Sequence, residues 1–246
     1  DLPEKIETDQ FCDMTGEQAA LYGQVLKEVR AQVLGEVERQ GMAKAHIQIL
    51  AGLTRLRQAA CDPRLLGLPR AFTDEDSGKL TALRELIALS VAGGHRVLLF
   101  SQFVSMLQII KKALDEDGVG YEYLDGSTKD RQEHVDNFQS DHGPPIFLIS
   151  LKAGGSGLNL TAADTVIHFD PWWNPAVEDQ ATDRAHRIGQ SKVVTAYRLI
   201  AKGTIEEKII ELGAKKRELV GAVLSEDSGG AKKLTKADLE DLFKAD

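Results

Sequence analysis

The sequence predicts an α/β fold, a parallel sheet of five strands covered by helices on both faces, and three observations carry that prediction. Apolar runs of strand length recur at Arg96–Phe100, Tyr121–Leu124, Ile146–Ser150, Thr165–Phe169 and Val193–Ile200. Segments with apolar residues at helical spacing separate most of them, and strands that are apolar on both faces need cover on both sides. The unusual stretches, polar or glycine-rich, begin directly after strands, where such sheets bind ligands. Strand order stays open.

The elements follow in order. Thr15 with Gln18 resembles a capping box, and Leu21, Tyr22, Val25, Leu26, Val29, Val33 and Val37 continue at helical spacing. A second helix carries Ile47, Leu50, Leu53 and Leu56 and ends by Asp62-Pro63, since proline disfavours helix at the preceding residue. Gly67 to Asp76 reads as a linker. Leu80, Leu83, Ile87 and Val91 mark the helix before the first strand; Phe103, Leu107, Ile110 and Leu114 mark the next, and Val135 and Phe138 a shorter one. Beyond Gly203, a helix with Ile205, Ile209, Leu212, Leu219 and Val223 leads to a Ser-Gly linker at Ser225–Gly230. A last helix holds Leu239, Leu242 and Phe243. The organisation is residues 1–76, helical segment and linker; 77–202, sheet domain; 203–246, C-terminal helix and tail.

With 246 residues, 42% apolar and 28% charged, the chain is long enough to bury a sizeable core. No apolar run approaches the roughly 20 residues of a membrane span. The start, Asp1-Leu2-Pro3, shows neither Met nor a signal core, and is expected to be an excised edge of a longer protein. Cys12 and Cys61 stand outside any metal or redox motif, which points to a reducing, intracellular setting, cytoplasm, nucleoid or nucleus. The six histidines are scattered and suggest no metal site. The net charge of −8 argues against a nucleic-acid partner unless a local basic stripe exists. Lys152, Lys192, Arg198 and Lys202 are its candidates; Lys208, Lys215, Lys216 and Arg217 read better as a solvated helix face.

The densest motif is Gln180-Ala-Thr-Asp-Arg184-Ala-His-Arg187-Ile-Gly-Gln190. On a helix, Arg184 and Arg187 share a face, and two guanidinium forks can grip phosphate oxygens and neutralise charge that develops in phosphoryl transfer. His186 points away from both on a helix, so packing or hydrogen bonding suits it better than catalysis. Gly154–Gly157 invites a dinucleotide reading, but Gly155-x-Gly157-x-x-Leu160 lacks the third glycine. Ser101, Gln102, Ser127 and Thr128 can donate to phosphates, although Ser101 and Thr128 also stand where helix N-caps belong. A P-loop is absent: the nearest stretch, Ser77-Gly78-Lys79-Leu80, offers no hydroxyl after the lysine, and Thr73 stands where its first glycine should be.

These motifs together resemble those of the Swi/Snf branch of the superfamily-two helicase-like ATPases. Gln180 to Gln190 looks like motif VI, Leu99-Phe100-Ser101-Gln102-Phe103 like motif IV, and Ser150-Leu-Lys152-Ala-Gly154-Gly155-Ser-Gly157-Leu-Asn159-Leu160 like motif V. Leu124 to Thr128 with Arg131, and Phe169-Asp170-Pro171-Trp172-Trp173-Asn174-Pro175, are similar to the intervening loops. Leu2 to Glu7 and Leu53 to Gln58 resemble the inter-lobe segment, and Gly203 to Ile209 the brace helix.

The resemblance implies a RecA-like second lobe of an ATP-driven translocase on double-stranded DNA. It implies that Arg184 and Arg187 act as arginine fingers, that Gly155, Gly157 and Gln190 border the nucleotide, and that Ser101, Gln102, Ser127, Thr128, Lys152, Asn159 and Trp173 face the DNA backbone. Trp172 is then expected to pack. ATP with Mg²⁺ would be held mainly by an N-terminal ATPase lobe outside this chain, so the fragment alone is expected to be inactive. The alternatives are a non-catalytic nucleic-acid- or partner-binding module that keeps the fold, and an RNA helicase lobe, which the Asp-Arg-Ala-His-Arg-Ile-Gly-Gln wording disfavours.

Overall fold

The computed structural model describes residues 2–153, 157–212, 215–217, 219–220 and 234–245. They group into two compact units. One comprises Asp1–Cys12, Lys79–Pro171 and Ala176–Ile200; the other comprises Asp13–Gly78, Trp172–Pro175 and Ala201–Asp246.

The first unit is the sheet domain. Its strands are β1 (Lys5–Cys12), β2 (Val97–Ser101), β3 (Tyr121–Leu124), β4 (Ile146–Ser150), β5 (Thr165–His168) and β6 (Val194–Ala201), in the order β1-β6-β5-β2-β4-β3. The pairs β2–β4, β2–β5, β3–β4 and β5–β6 are parallel, with Val97 opposite both Ile146 and Thr165. Every residue of β2, β4 and β5 is buried, as a sheet covered on both faces requires. On one face Leu98, Phe100, Phe147, Ile149 and Val166 pack with Val135 and Phe138 of α5 (Arg131–Gln139) and with Ala181 of α6 (Pro175–Thr182). Each such side chain contributes about 1.5–3 kcal/mol by leaving water. The other helices of this unit are α3 (Gly78–Ala92) and α4 (Val104–Glu116), and α4 packs on β2 and β4.

The sequence reading expected five strands; the described residues form six. The missed one, β1, lies at the sheet edge beside β6, and its Glu7, Thr8 and Asp9 are exposed. An edge strand exposed to water carries no apolar run for periodicity to find. The order also reverses at β2, since β4 and β3 lie to one side and β5 and β6 to the other. Such a switch point opens a crevice beyond the carboxyl ends of the strands.

The second unit is helical. Its elements are α1 (Gly16–Gln40), α2 (His46–Cys61), α7 (Ile205–Glu211) and α8 (Lys236–Leu242). Tyr22, Val25, Val29 and Val33 of α1 meet Ile49, Leu53 and Leu56 of α2, and Ile205, Ile209, Leu239 and Phe243 join that core. Thr15 caps α1 by accepting from the Gln18 amide at 3.1 Å. The capping box stops there. Gln18 turns its side chain inward, donating to the carbonyls of Ala59 and Ala60 at 3.1 and 3.3 Å, because these end carbonyls of α2 would otherwise be buried without donors. Cys12 and Cys61 are buried thiols, neither of them in a disulfide; the Cys12 Sγ donates to the Gln10 carbonyl and the Cys61 Sγ to Glu206 Oε1. Leu212, Leu219 and the helix after Gly203 are described only in part, and Val223 and the Ser225–Gly230 linker lie outside the described residues. Among the described residues no helix is long and apolar enough to cross a membrane.

Candidate functional site

Two depressions open at the carboxyl ends of the strands of the sheet unit. The larger, about 740 Å³, is lined by Leu151, Lys152, Gly157, Gln180, Arg184 and Arg187 among others. The smaller, about 470 Å³, is lined by Gln102, Gly126, Arg131, Ser150 and Lys152 among others. Lys152 borders both.

The arginines do not sit on a helix, as the sequence reading expected. The α6 helix ends at Thr182, whose carbonyl accepts from Ala185 at 3.0 Å and from His186 at 3.1 Å. A chain of turns follows, closed by the Gln190 amide donating to the Arg187 carbonyl at 2.9 Å. Gly189, at φ +105°, supplies a backbone conformation that other residues rarely adopt. The turns still bring Arg184 and Arg187 to one cleft.

Their environments differ. The Arg184 guanidinium lies 5.5 Å from the centre of the Phe100 ring, and its Nη1 is buried without a hydrogen-bond partner. Burial pulls its pKa below the usual arginine value. Arg187 is exposed, and its Nη1 donates to the Leu158 carbonyl at 3.4 Å. Among the described residues neither pairs with a carboxylate. A half-buried guanidinium without a counter-ion is costly, and an incoming anion removes that cost.

Gln190 departs from the reading that placed it beside a nucleotide. It is buried, and its Nε2 donates within 2.7–3.1 Å of the carbonyls of Thr161, Ala163 and Ala185. Its Oε1 accepts from the amides of Ser191 and Lys192. Both ends of the amide are spent on backbone, so Gln190 fixes the end of the arginine turn. His186 likewise hydrogen-bonds through Nε2, to the Pro3 carbonyl at 2.7 Å.

On the smaller depression, Ser101 also departs from expectation. Its hydroxyl is buried, donates to Asp170 Oδ1 at 2.5 Å and accepts from the Phe103 amide at 3.1 Å. Asp170 accepts from the Gln102 amide as well, at 3.2 Å. The pair is a strut between the ends of β2 and β5 with no donor left for a phosphate. Gln102 is the opposite case: its Nε2 is buried without a partner at the edge of the depression. Ser127 and Thr128 form a turn around Asp125, with Ser127 donating to Oδ1 from its amide at 2.8 Å and its hydroxyl at 2.6 Å. Those bonds, the Ser127 hydroxyl first and the Tyr123 hydroxyl next, hold the Asp125 carboxyl down at about 2. Asn159 is exposed. Gly157 has φ +108°, while Gly155 lies outside the described residues.

The basic stripe is thinner than its sequence suggested. Arg198 pairs with Asp9 and Glu178, Lys192 with Asp164, and Lys202 with Asp13. Lys152 is exposed and has no ion pair among the described residues.

Residues 78–189 match the model of the helicase conserved C-terminal domain. The SWI2/SNF2 ATPase C-terminal domain of Sulfolobus solfataricus superposes with a TM-score of 0.77 at 31% identity, covering 99% of this chain and 100% of that one. The chain belongs to the Swi2/Snf2 ATPases. The Sulfolobus solfataricus SWI2/SNF2 ATPase core in complex with dsDNA gives a TM-score of 0.80 at 34% identity, over 99% of this chain and 51% of that one. An uncharacterized ATP-dependent helicase of Mycoplasma pneumoniae is 41% identical over 99% of this chain and 23% of its own length. The chain thus spans about a quarter or less of the length of the curated relatives it matches. The RecA-like, parallel-sheet fold expected from sequence is that of a Swi2/Snf2 C-terminal lobe.

Within this Swi2/Snf2 lobe one of the two tryptophans departs from the role expected of it. Trp173, expected at the DNA backbone, has no exposed surface and belongs to the core of the helical unit. Trp172 packs in part, as expected: it is half-buried, and the Arg57 guanidinium lies 5.2 Å from its ring centre and 5.6 Å from that of Trp173. A ring enclosed on every side cannot stack on or donate to a ligand.

The sequence reading passed over His168 altogether. The ring is 5% exposed at the end of β5, and burial first, then the Arg198 charge, push its pKa down to about 3. The unfolded chain takes up a proton near pH 6.5 and the folded chain resists it down to about 3. The stability owed to this neutral ring is therefore whole above pH 6.5 and is lost as pH falls toward 3, at about 1.4 kcal/mol per unit. Urea midpoints at about pH 7 and about pH 5 should diverge less for His168→Phe than for the parent chain. Equal divergence would remove His168 from the acid response.

Proposed function

We propose that this chain is the second motor lobe of an ATP-driven translocase on double-stranded DNA. ATP with Mg²⁺ is held by an N-terminal lobe outside this chain, and Arg184 and Arg187 reach its γ-phosphate when the lobes close. Gly157 borders the nucleotide. Charge spreads over the γ-phosphoryl oxygens during transfer, and two guanidinium groups stabilise it. Hydrolysis reopens the cleft and the lobe advances along the backbone, contacting phosphates through Gln102, Lys152 and Asn159, while Ser127 and Thr128 stay turned to Asp125. Contacts of this kind position a protein on DNA without reading sequence.

One observation carries the reading: Arg184 presents a buried, unpartnered Nη1 in a cleft of about 740 Å³. Among the described residues no group of acidic, His or Cys side chains could hold a metal ion.

The test is ATP hydrolysis by the longer protein, measured alone, with duplex DNA and with RNA. Stimulation by duplex DNA above RNA is expected. Absence of hydrolysis would leave a binding module instead of a motor, hydrolysis indifferent to DNA would remove DNA as the track, and preference for RNA would make it an RNA helicase lobe. On the same protein, Lys152→Ala should weaken duplex binding at every sequence alike and lower the slope of log affinity against log salt by about one, the signature of one lost phosphate contact. An unchanged slope removes Lys152 from the interface.

A further inference from the structure

The buried polar groups beneath the arginine turn form a connected series. His168 Nε2 and Thr182 Oγ1 share a hydrogen bond of 3.0 Å. The His168 ring stacks on Phe100, with centroids 5.7 Å apart and planes 19° from parallel. The Phe100 ring in turn lies under the guanidinium of Arg184 at 5.5 Å. Thr182 is the last residue of α6, and its carbonyl starts the turn that carries both arginines. His168 therefore reaches Arg184 by two routes, one through the backbone and one through a ring.

We infer that His168 is a positioning residue, which with Thr182 and Phe100 sets where the Arg184 guanidinium stands in the cleft. The inference rests on the proposed role of Arg184 and adds what holds that side chain in the absence of a carboxylate. A carboxylate partner would fix Arg184 more tightly but would compete with the phosphate it has to meet. A neutral ring stacked under Phe100 fixes it without offering a rival anion. Register puts His168 beside Phe100 on one side and Arg198 on the other, and Thr182 is 2% exposed. The low pKa of His168 agrees with this role, because a second cation beside Arg184 and Arg198 would oppose the arrangement.

The experiment uses the longer protein with both lobes and duplex DNA. His168→Phe keeps a ring on Phe100 and removes the hydrogen bond; Thr182→Val keeps the shape and removes the hydroxyl; Thr182→Ser restores it. His168→Phe and Thr182→Val should each lower kcat about ten- to hundredfold, the range expected when a catalytic group is misplaced by around an ångström, with KM for ATP moving less than about twofold. Thr182→Ser should retain most of the parent kcat. In an Arg184→Met background, Thr182→Val should cause no further loss, since the group it positions is gone.

Losses that add to that of Arg184→Met, or a KM that rises in step with a fall in kcat, would overturn the inference. A parent-like kcat in Thr182→Val overturns it even if His168→Phe fails to fold. If Arg184→Met loses turnover and Thr182→Val keeps it, only this inference falls. If Arg184→Met itself keeps full turnover, the reading of the arginines falls and this inference goes with it.

Discussion

Replacing Arg184 by methionine in the longer protein is expected to lower DNA-stimulated kcat on the order of 10³-fold, the usual cost of removing an arginine finger. Methionine preserves an unbranched apolar stem over Phe100 and deletes only the charged head. The same change should leave the unfolding midpoint of this chain unaltered or raise it, because the head is half-buried with an unsatisfied Nη1 and no carboxylate. Activity and stability thus move in opposite directions, which a structural arginine would not allow. Arg187→Ala should also reduce kcat but leave the midpoint alone, since Arg187 is exposed. Paired measurements of turnover and urea midpoint decide the matter: full turnover in Arg184→Met, or a large drop in its midpoint, removes the finger assignment.

Trp173→Ala should destabilise the helical unit by about 3–5 kcal/mol, the range for emptying a large aromatic site in a packed core. The ring has no exposed surface, shares a core with residues such as Leu53 and Leu56, and stands beside Arg57. Trp172→Ala, at a half-buried position, should cost far less. Trp173→Phe should fall between them and lean to the mild side, because it also removes an indole Nε1 that is buried without a partner. Denaturant titration of this chain measures all three. A well-folded Trp173→Ala with weakened duplex binding would restore the tryptophan to the DNA surface, against its burial here.

What was legible in the sequence follows from how the residues are used. β2, β4 and β5 are buried along their whole length, so their apolar runs announce them and the loops after them. β1 is polar because its flank meets water, and no periodic signal survives in Glu7, Thr8, Asp9 and Gln10. The arginine segment was recognised by its residue types, yet its backbone was misread: helix spacing gives two arginines a common face, and turns pinned by Gln190 and Gly189 do so equally well. Ser101, Gln190 and Trp173 were assigned to ligands because hydroxyls, amides and indoles bind them. Burial redirects each one inward, and burial at a loop is a tertiary fact. His168 closes a strand, next to Phe169 of the same buried run, so nothing local marks it.

The first strand has a consequence for how the chain comes together. Lys5–Cys12 leaves the ribosome well ahead of its neighbour β6, and Arg198 of β6 meets Asp9 across 189 positions. The α1 and α2 helices and four strands are synthesised in the interval. Contacts so distant along the chain are among the last to be secured, since closure entropy must be met before they reward it. Until then β1 waits in water, and its acidic and hydroxyl-bearing residues suit it to do so without joining other chains.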